Sequence, residues 1–140
     1  MGNKNSGIYL LEIILNNEKK IKIGALGGYN FSTGYYYYIG SAQKNLQSRI
    51  NRHLKDNKKL HWHIDYLLNY AQIINHYTIL ADKNYECKLF QYLNKKEIFQ
   101  VPVKGLGASD CNCRSHLLYT EEKQNIKNAI EKFKQRNTII

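Results

Sequence analysis

Arg49 and His53 lie four residues apart in a segment where Leu46, Ile50 and Leu54 also recur every four residues. On a helix that spacing turns both polar groups to one side, where a guanidinium and an imidazole can meet the same phosphate. His61, His63 and Asp65 add metal-ligand types a few residues later. On a helix, however, His61 and Asp65 share a face while His63 points elsewhere, so no three-ligand site follows and a packing or substrate-facing role is expected. Cys111 and Cys113 with His116, joined by Cys87, offer zinc-ligand types. Their C-x-C spacing is tighter than that of common zinc sites, so structural zinc at Cys111, Cys113 and His116 is the lesser expectation and a loop with packed cysteines the greater.

The elements that must position these groups follow from hydrophobic period and turn residues. Gly7 to Leu15 is an apolar, β-branched run suited to a mostly buried strand. Lys20 to Leu26 alternates and ends at Gly27-Gly28, which predicts a second, antiparallel strand. Tyr35 to Ile39 predicts a third, with Tyr36 and Tyr38 on one face and Tyr35 and Tyr37 on the other. A basic helix is expected from an N-cap at Ser41, a second from about His61 to Ala71, then a short strand from His76 to Ala81. Asn84 is the expected cap of a third helix reaching Leu93, with Glu86 in its first turn. Ile98 to Val103 reads as an edge strand because Pro102 cannot donate to a ladder, and Gly105 to Cys113 as a loop. A last helix is expected after Thr120, with Ile126, Ile130 and Phe133 inward. The class is α+β: a small central antiparallel sheet of about three strands flanked by helices, with extra C-terminal strand and helix.

Composition bounds the partners. The 140 residues carry 21 Lys and Arg against 11 Asp and Glu, a net charge of +10 that favours a polyanionic partner such as nucleic acid. Six positive residues and one negative between Ser41 and Leu60 supply half of that charge, so Lys44, Arg52, Lys55 and Lys59 are expected nucleic-acid contacts. No apolar run approaches the ~20 residues of a membrane span, and the N-terminus lacks the pattern of a signal peptide. Three cysteines are too few and too odd in number for a disulfide scaffold. A cytoplasmic protein of one domain, residues 1–140, without repeat or linker, is therefore expected.

The tripeptides Gly7-Ile8-Tyr9 and Tyr38-Ile39-Gly40, followed by the helix with Arg49 and His53 and later by Glu86, resemble the GIY-YIG nuclease superfamily. The stretches His61-Trp62-His63-Ile64-Asp65 and Gly107 to Leu117 are similar to its Uri-type branch, whose members occur alone or joined to an endonuclease III-like glycosylase. The resemblance implies a metal-dependent endonuclease acting on DNA, in repair or in processing of structured DNA, with a glycosylase of that kind as a further partner. It implies Tyr9 and Tyr38 near the attacking water, one as base, Arg49 on the scissile phosphate, His53 in proton transfer or phosphate contact, and Glu86 on one Mg²⁺ or Mn²⁺ ion. The long segment between the tripeptides departs from many relatives, as does Ser41 where excision-repair relatives carry Lys. A lysine favouring phenolate at Tyr9 would then come from Lys20, Lys22 or Lys44.

Those roles are chemically coherent. Phosphodiester hydrolysis needs a base, stabilisation of charge on the phosphoryl oxygens and help for the leaving oxygen. Each residue also has a plainer reading: tyrosines packing in strands, a solvated basic helix face, and a Glu86 that gains ~0.3–1 kcal/mol from its helix dipole. A nucleic-acid-binding module without turnover is the competing function, and a protein-interaction module the weaker third.

Overall fold

The computed structural model describes residues 6–55, 59–107 and 115–139. Strands β1 (Gly7–Leu15), β4 (Gly34–Ala42), β5 (Gln72–Ile79) and β6 (Leu117–Thr120) form one antiparallel sheet in the order β5-β1-β4-β6. The α+β class is therefore as expected, with one strand more in the main sheet than the sequence indicated. β1 and β4 are the central pair and are covered on both faces, which explains why their sequences run apolar instead of alternating.

Period-two geometry sorts the strand residues between two cores. On one face Tyr9, Leu11, Ile13, Tyr36 and Tyr38 pack with Leu46 and Ile50 of α1 (Leu46–Leu54) and Ile64 and Leu67 of α2 (His63–Leu68). On the other, Ile8, Leu10, Tyr37 and Ile39 pack with Leu89, Phe90 and Leu93 of α3 (Tyr85–Asn94) and Phe133 of α4 (Ile126–Arg136). The division of the tyrosine run between two faces is as its period predicts.

Several boundaries differ from the sequence expectation. β2 (Lys19–Lys22) does not join β1; it pairs with β3 (Gly28–Phe31) in a separate two-stranded sheet. The Gly27-Gly28 turn marked the reversal, but the strand it turns into is the segment just after it. Ser41 is not an N-cap: it lies within β4, opposite Ile8, and the helix starts later behind Asn45, whose φ of 55° is left-handed. α2 is shorter than His61 to Ala71, because the Asp65 carboxylate accepts the backbone N–H groups of both His61 and Trp62 and so sets the helix start. The Ile98 to Val103 edge strand reduces to one bridge, Gln100 to Tyr119, and β6 occupies that edge. Asn84 precedes α3 but makes no side-chain cap bond, and α4 begins only at Ile126. Cys87 is disulfide-bonded. Among the described residues no helix is long and apolar enough to cross a membrane.

Candidate active site

The pairing of β1 with β4 places Tyr9 opposite Gly40 and Leu11 opposite Tyr38, so the two tripeptides lie side by side at one end of the sheet. Glycine at position 40 is a steric requirement: a Cβ there would stand 2.4 Å from Tyr9 Cζ, on a ring fixed in the core. Gly107, with φ of +71°, likewise comes against the Tyr38 ring.

Tyr9 and Tyr38, their ring centres 6.3 Å apart, line a pocket of about 210 Å³. Arg49 of α1 and Glu86 of α3 line it too, so four of the expected catalytic or metal residues meet in one cavity. The fifth, His53, is buried one layer behind. Its Nε2 is 2.8 Å from the Tyr9 hydroxyl, a distance suited to proton transfer between the two. Arg49 donates to the Ser41 carbonyl at 2.8 Å, and its guanidinium lies 4.8 Å from the Trp62 ring centre. A second guanidinium holds the same ring. Arg52 stacks at 4.2 Å from Trp62 and forks onto both oxygens of the fully buried Asp65 at 3.1 and 3.0 Å.

That fork corrects one expectation. Arg52 is engaged by Asp65 and the Lys59 carbonyl and keeps only 26% of its side chain exposed, so its first role is in the wall that orients Trp62 and Arg49. Lys44, Lys55 and Lys59 are exposed, as a backbone-tracking role requires, but none lines the pocket. The helical reading of His61, His63 and Asp65 is also corrected. His61 and His63 both face the cavity, whereas Asp65 turns away to Arg52. His63 Nδ1 accepts from the Gly107 backbone N–H at 3.0 Å.

Three pocket residues have no catalytic or substrate role in the sequence reading: Trp62, named only within the Uri-type stretch, His116, read only as a candidate zinc ligand, and Lys83, which is not singled out. Lys83 stands three residues before Glu86, a spacing that puts both on one side of a helix start, so a signal for it was present. It, and not Lys20, Lys22 or Lys44, is the lysine of this cavity. His116 comes from the segment leading into β6, and its Nε2 lies 3.7 Å from Glu86 Oε1.

Burial dominates the protonation states. It pushes the Tyr9 phenol well above its usual range, and the nearby Arg49 charge only partly offsets this, while Glu86 adds to it. Tyr38 is raised for the same first reason, with Tyr9 and Glu86 contributing. Both are neutral phenols at pH 7, so no resting phenolate is present. Burial, aided by the Lys83 charge, pulls the His116 imidazole down to about 4, which leaves it neutral at pH 7. At Asp65 burial alone would raise the carboxyl, but Arg52 and the backbone N–H groups of Trp62 and His61 reverse the sign and hold it ionised.

Among the described residues no group of three or more His, Cys, Asp or Glu side chains is arranged to hold a metal. Among the described residues that line the cavity, Glu86 is the one carboxylate. That donor set fits Mg²⁺ or Mn²⁺, which take one or two carboxylates and complete their shell with water and phosphate oxygen. Cys111 and Cys113, and with them the zinc expectation, lie outside the described residues.

Fold and pocket together define a small α+β domain with phenol, imidazole, guanidinium and carboxylate groups converging on one cavity. The chain belongs to the family described as domain of unknown function DUF123, whose model matches residues 8–139. No curated protein and no solved structure matches it.

Proposed function

We propose that this protein is a metal-dependent endonuclease that hydrolyses phosphodiester bonds in DNA, as its resemblance to the Uri-type branch of the GIY-YIG superfamily implies. The observation that carries the reading is the convergence of Tyr9, Tyr38, Arg49 and Glu86 in one cavity, with His53 hydrogen-bonded behind Tyr9. Binding alone needs positive charge; a carboxylate facing a phosphate serves hydrolysis. Because Tyr9 rests as a phenol, it acts as base by relay: its proton passes to His53 Nε2 while its oxygen takes the proton of the attacking water. Arg49, held by Ser41 and Trp62, binds the scissile phosphate and gains as charge develops on its oxygens. Tyr38 borders the attack position and excludes solvent. Glu86 would hold the divalent ion, which when bound supplies Lewis-acid stabilisation of the phosphoryl and leaving oxygens.

The test is incubation with labelled single-stranded, duplex, flap and branched DNA, each with Mg²⁺, Mn²⁺ or EDTA. Cleavage with metal and none in EDTA is expected. Salt-sensitive binding to all four with no cleavage under any metal would leave a non-catalytic nucleic-acid-binding module. The deep burial of both phenols favours that second reading, and the Tyr9–His53 bond, which gives the buried proton an exit, weighs against it.

A further inference from the structure

His116 and Glu86 reach the same point of the pocket from unrelated elements. Glu86 projects from the first turn of α3, and His116 from the chain entering β6. The imidazole is set by its backbone at both ends: His116 N–H donates to the Leu106 carbonyl at 2.8 Å, and its carbonyl accepts from Ile39 N–H at 2.9 Å. Both residues are buried, at 2% and 7% exposure, yet both line the cavity. Their nearest polar atoms, Nε2 and Oε1, stand 3.7 Å apart. That is too long for a hydrogen bond. It is close to the separation of two donors sharing one divalent ion, since ligand bonds of ~2.1 Å at angles of 90–110° put neighbouring donors about 3.0–3.5 Å apart.

We propose that His116 is a second protein ligand, beside Glu86, for the divalent ion, so that the site is a mixed nitrogen–oxygen centre open to substrate on its remaining positions. The proposal rests on the reading of Glu86 as the metal residue and extends it to a group outside that expectation. It predicts metal preference. Mg²⁺ favours carboxylate, carbonyl and water, whereas imidazole suits the later divalent ions, so Mn²⁺ should bind more tightly than Mg²⁺. Cys87 Sγ, 3.9 Å from the same nitrogen, is tied up in its disulfide and contributes no thiolate. Arg49 and Lys83 line the same cavity and would face the phosphate that completes the shell.

The experiment is pulsed EPR of Mn²⁺ bound to the full chain, with no nucleic acid present. A coordinated imidazole imprints ¹⁴N modulation on the manganese signal, and labelling histidine with ¹⁵N changes it in the unmodified protein. The modulation should survive His61→Gln and His63→Gln and vanish in His116→Gln, with at least a tenfold loss of Mn²⁺ affinity and a smaller loss for Mg²⁺. If His116→Gln does not fold, the wild-type spectrum and the two other variants still decide. Manganese bound with no nitrogen modulation, or modulation that His61→Gln or His63→Gln abolishes, overturns the assignment. The nuclease reading stands or falls separately: DNA cleavage without nitrogen coupling sinks only the ligand, and nitrogen coupling without cleavage sinks only the nuclease.

Discussion

Tyr37 and Tyr38 are neighbours on one strand, and they end in opposite kinds of environment. On the α3–α4 side of the sheet, the Tyr37 hydroxyl donates to Glu12 at 3.0 Å and accepts from the Gln124 backbone N–H at 3.1 Å. The other Glu12 oxygen accepts from Asn75 at 2.7 Å. Every partner there is protein, and the network is closed. On the α1–α2 side, Tyr38 and Tyr9 face a cavity that also holds a guanidinium and a carboxylate, and the Tyr9 hydroxyl reaches a titratable imidazole. Burial and residue type are alike on the two sides. What separates structure from chemistry is whether the last group in the network meets protein or an open space where substrate can bind.

The sharpest way to break that contrast is to remove one hydroxyl from each side. Tyr9→Phe should lower the single-turnover cleavage rate by ~10²–10⁴, the usual loss for a positioned proton acceptor. Tyr37→Phe should leave the rate near wild type. Comparable rates for the two variants would dissolve the distinction and with it the relay through His53.

Acid sensitivity should follow the pocket side. The His116 imidazole is pulled down to about 4 in the fold, against an ordinary value of about 6.5 in the unfolded chain. Between those values the unfolded state binds the additional proton, so this contribution is fully present above about pH 6.5 and is lost as pH falls through the folded value. The gap amounts to about 3 kcal/mol. Urea unfolding from pH 7 down to 4 should show that decline in the wild type, and a flatter profile in His116→Gln. Equal slopes would mean that His116 is not buried as a neutral ring.

The closed network has its own signature. Removing the Tyr37 hydroxyl leaves a Glu12 oxygen and the Gln124 N–H short of a buried partner, a loss of ~1–3 kcal/mol. Denaturant unfolding of Tyr37→Phe should show a lower midpoint with an unchanged slope. No loss of stability would indicate that water reaches Glu12 and that the side is less closed than its hydrogen bonds suggest.

How much of this was legible before the structure depends on sequence separation. Tyr9, Tyr38, Arg49 and His53 could be read because two tripeptides and one helical spacing carry them, and the structure brings them together as that spacing requires. The face alternation of Tyr35 to Tyr38 was legible for the same local reason. His116 and Trp62 were not found as pocket residues, because nothing local marks them: His116 is placed by bonds to Leu106 and Ile39, and Trp62 by Arg49, Arg52 and the turn that Asp65 closes. The second hairpin strand failed similarly. Gly27-Gly28 dictates a reversal, but which edge the alternating Lys19–Lys22 strand joins is decided by contacts that a turn does not encode. Ser41 has the side chain of a good cap, and its pairing with Ile8 in the sheet overrode that preference.

The smallest expected effect concerns the outer surface, where the two sides differ only in exposed charge. Lys44, Lys55 and Lys59 flank α1 on the pocket side, while Lys127 and Arg136 sit exposed on α4 on the closed side. If substrate enters the cavity, the phosphates on either side of the bound one should run along the α1 side, where those lysines would release counterions. Each neutralised phosphate adds about 0.9 to the slope of log affinity against log salt on duplex DNA, and about 0.7 on single strands. Replacing Lys44, Lys55 and Lys59 with Gln should therefore flatten the duplex slope by up to about 2.7 and weaken all sequences alike, since phosphate contacts carry no base identity. Lys127→Gln with Arg136→Gln should leave it unchanged. Stability should move little in either variant, because surface substitutions of this kind usually stay within about 0.5 kcal/mol. Titrations at several salt concentrations read the slopes directly. A flattened slope in the α4 variant and none in the α1 variant would move the nucleic-acid track to the closed side, away from Tyr9 and Glu86, and would leave the cavity without a route for a polymer substrate.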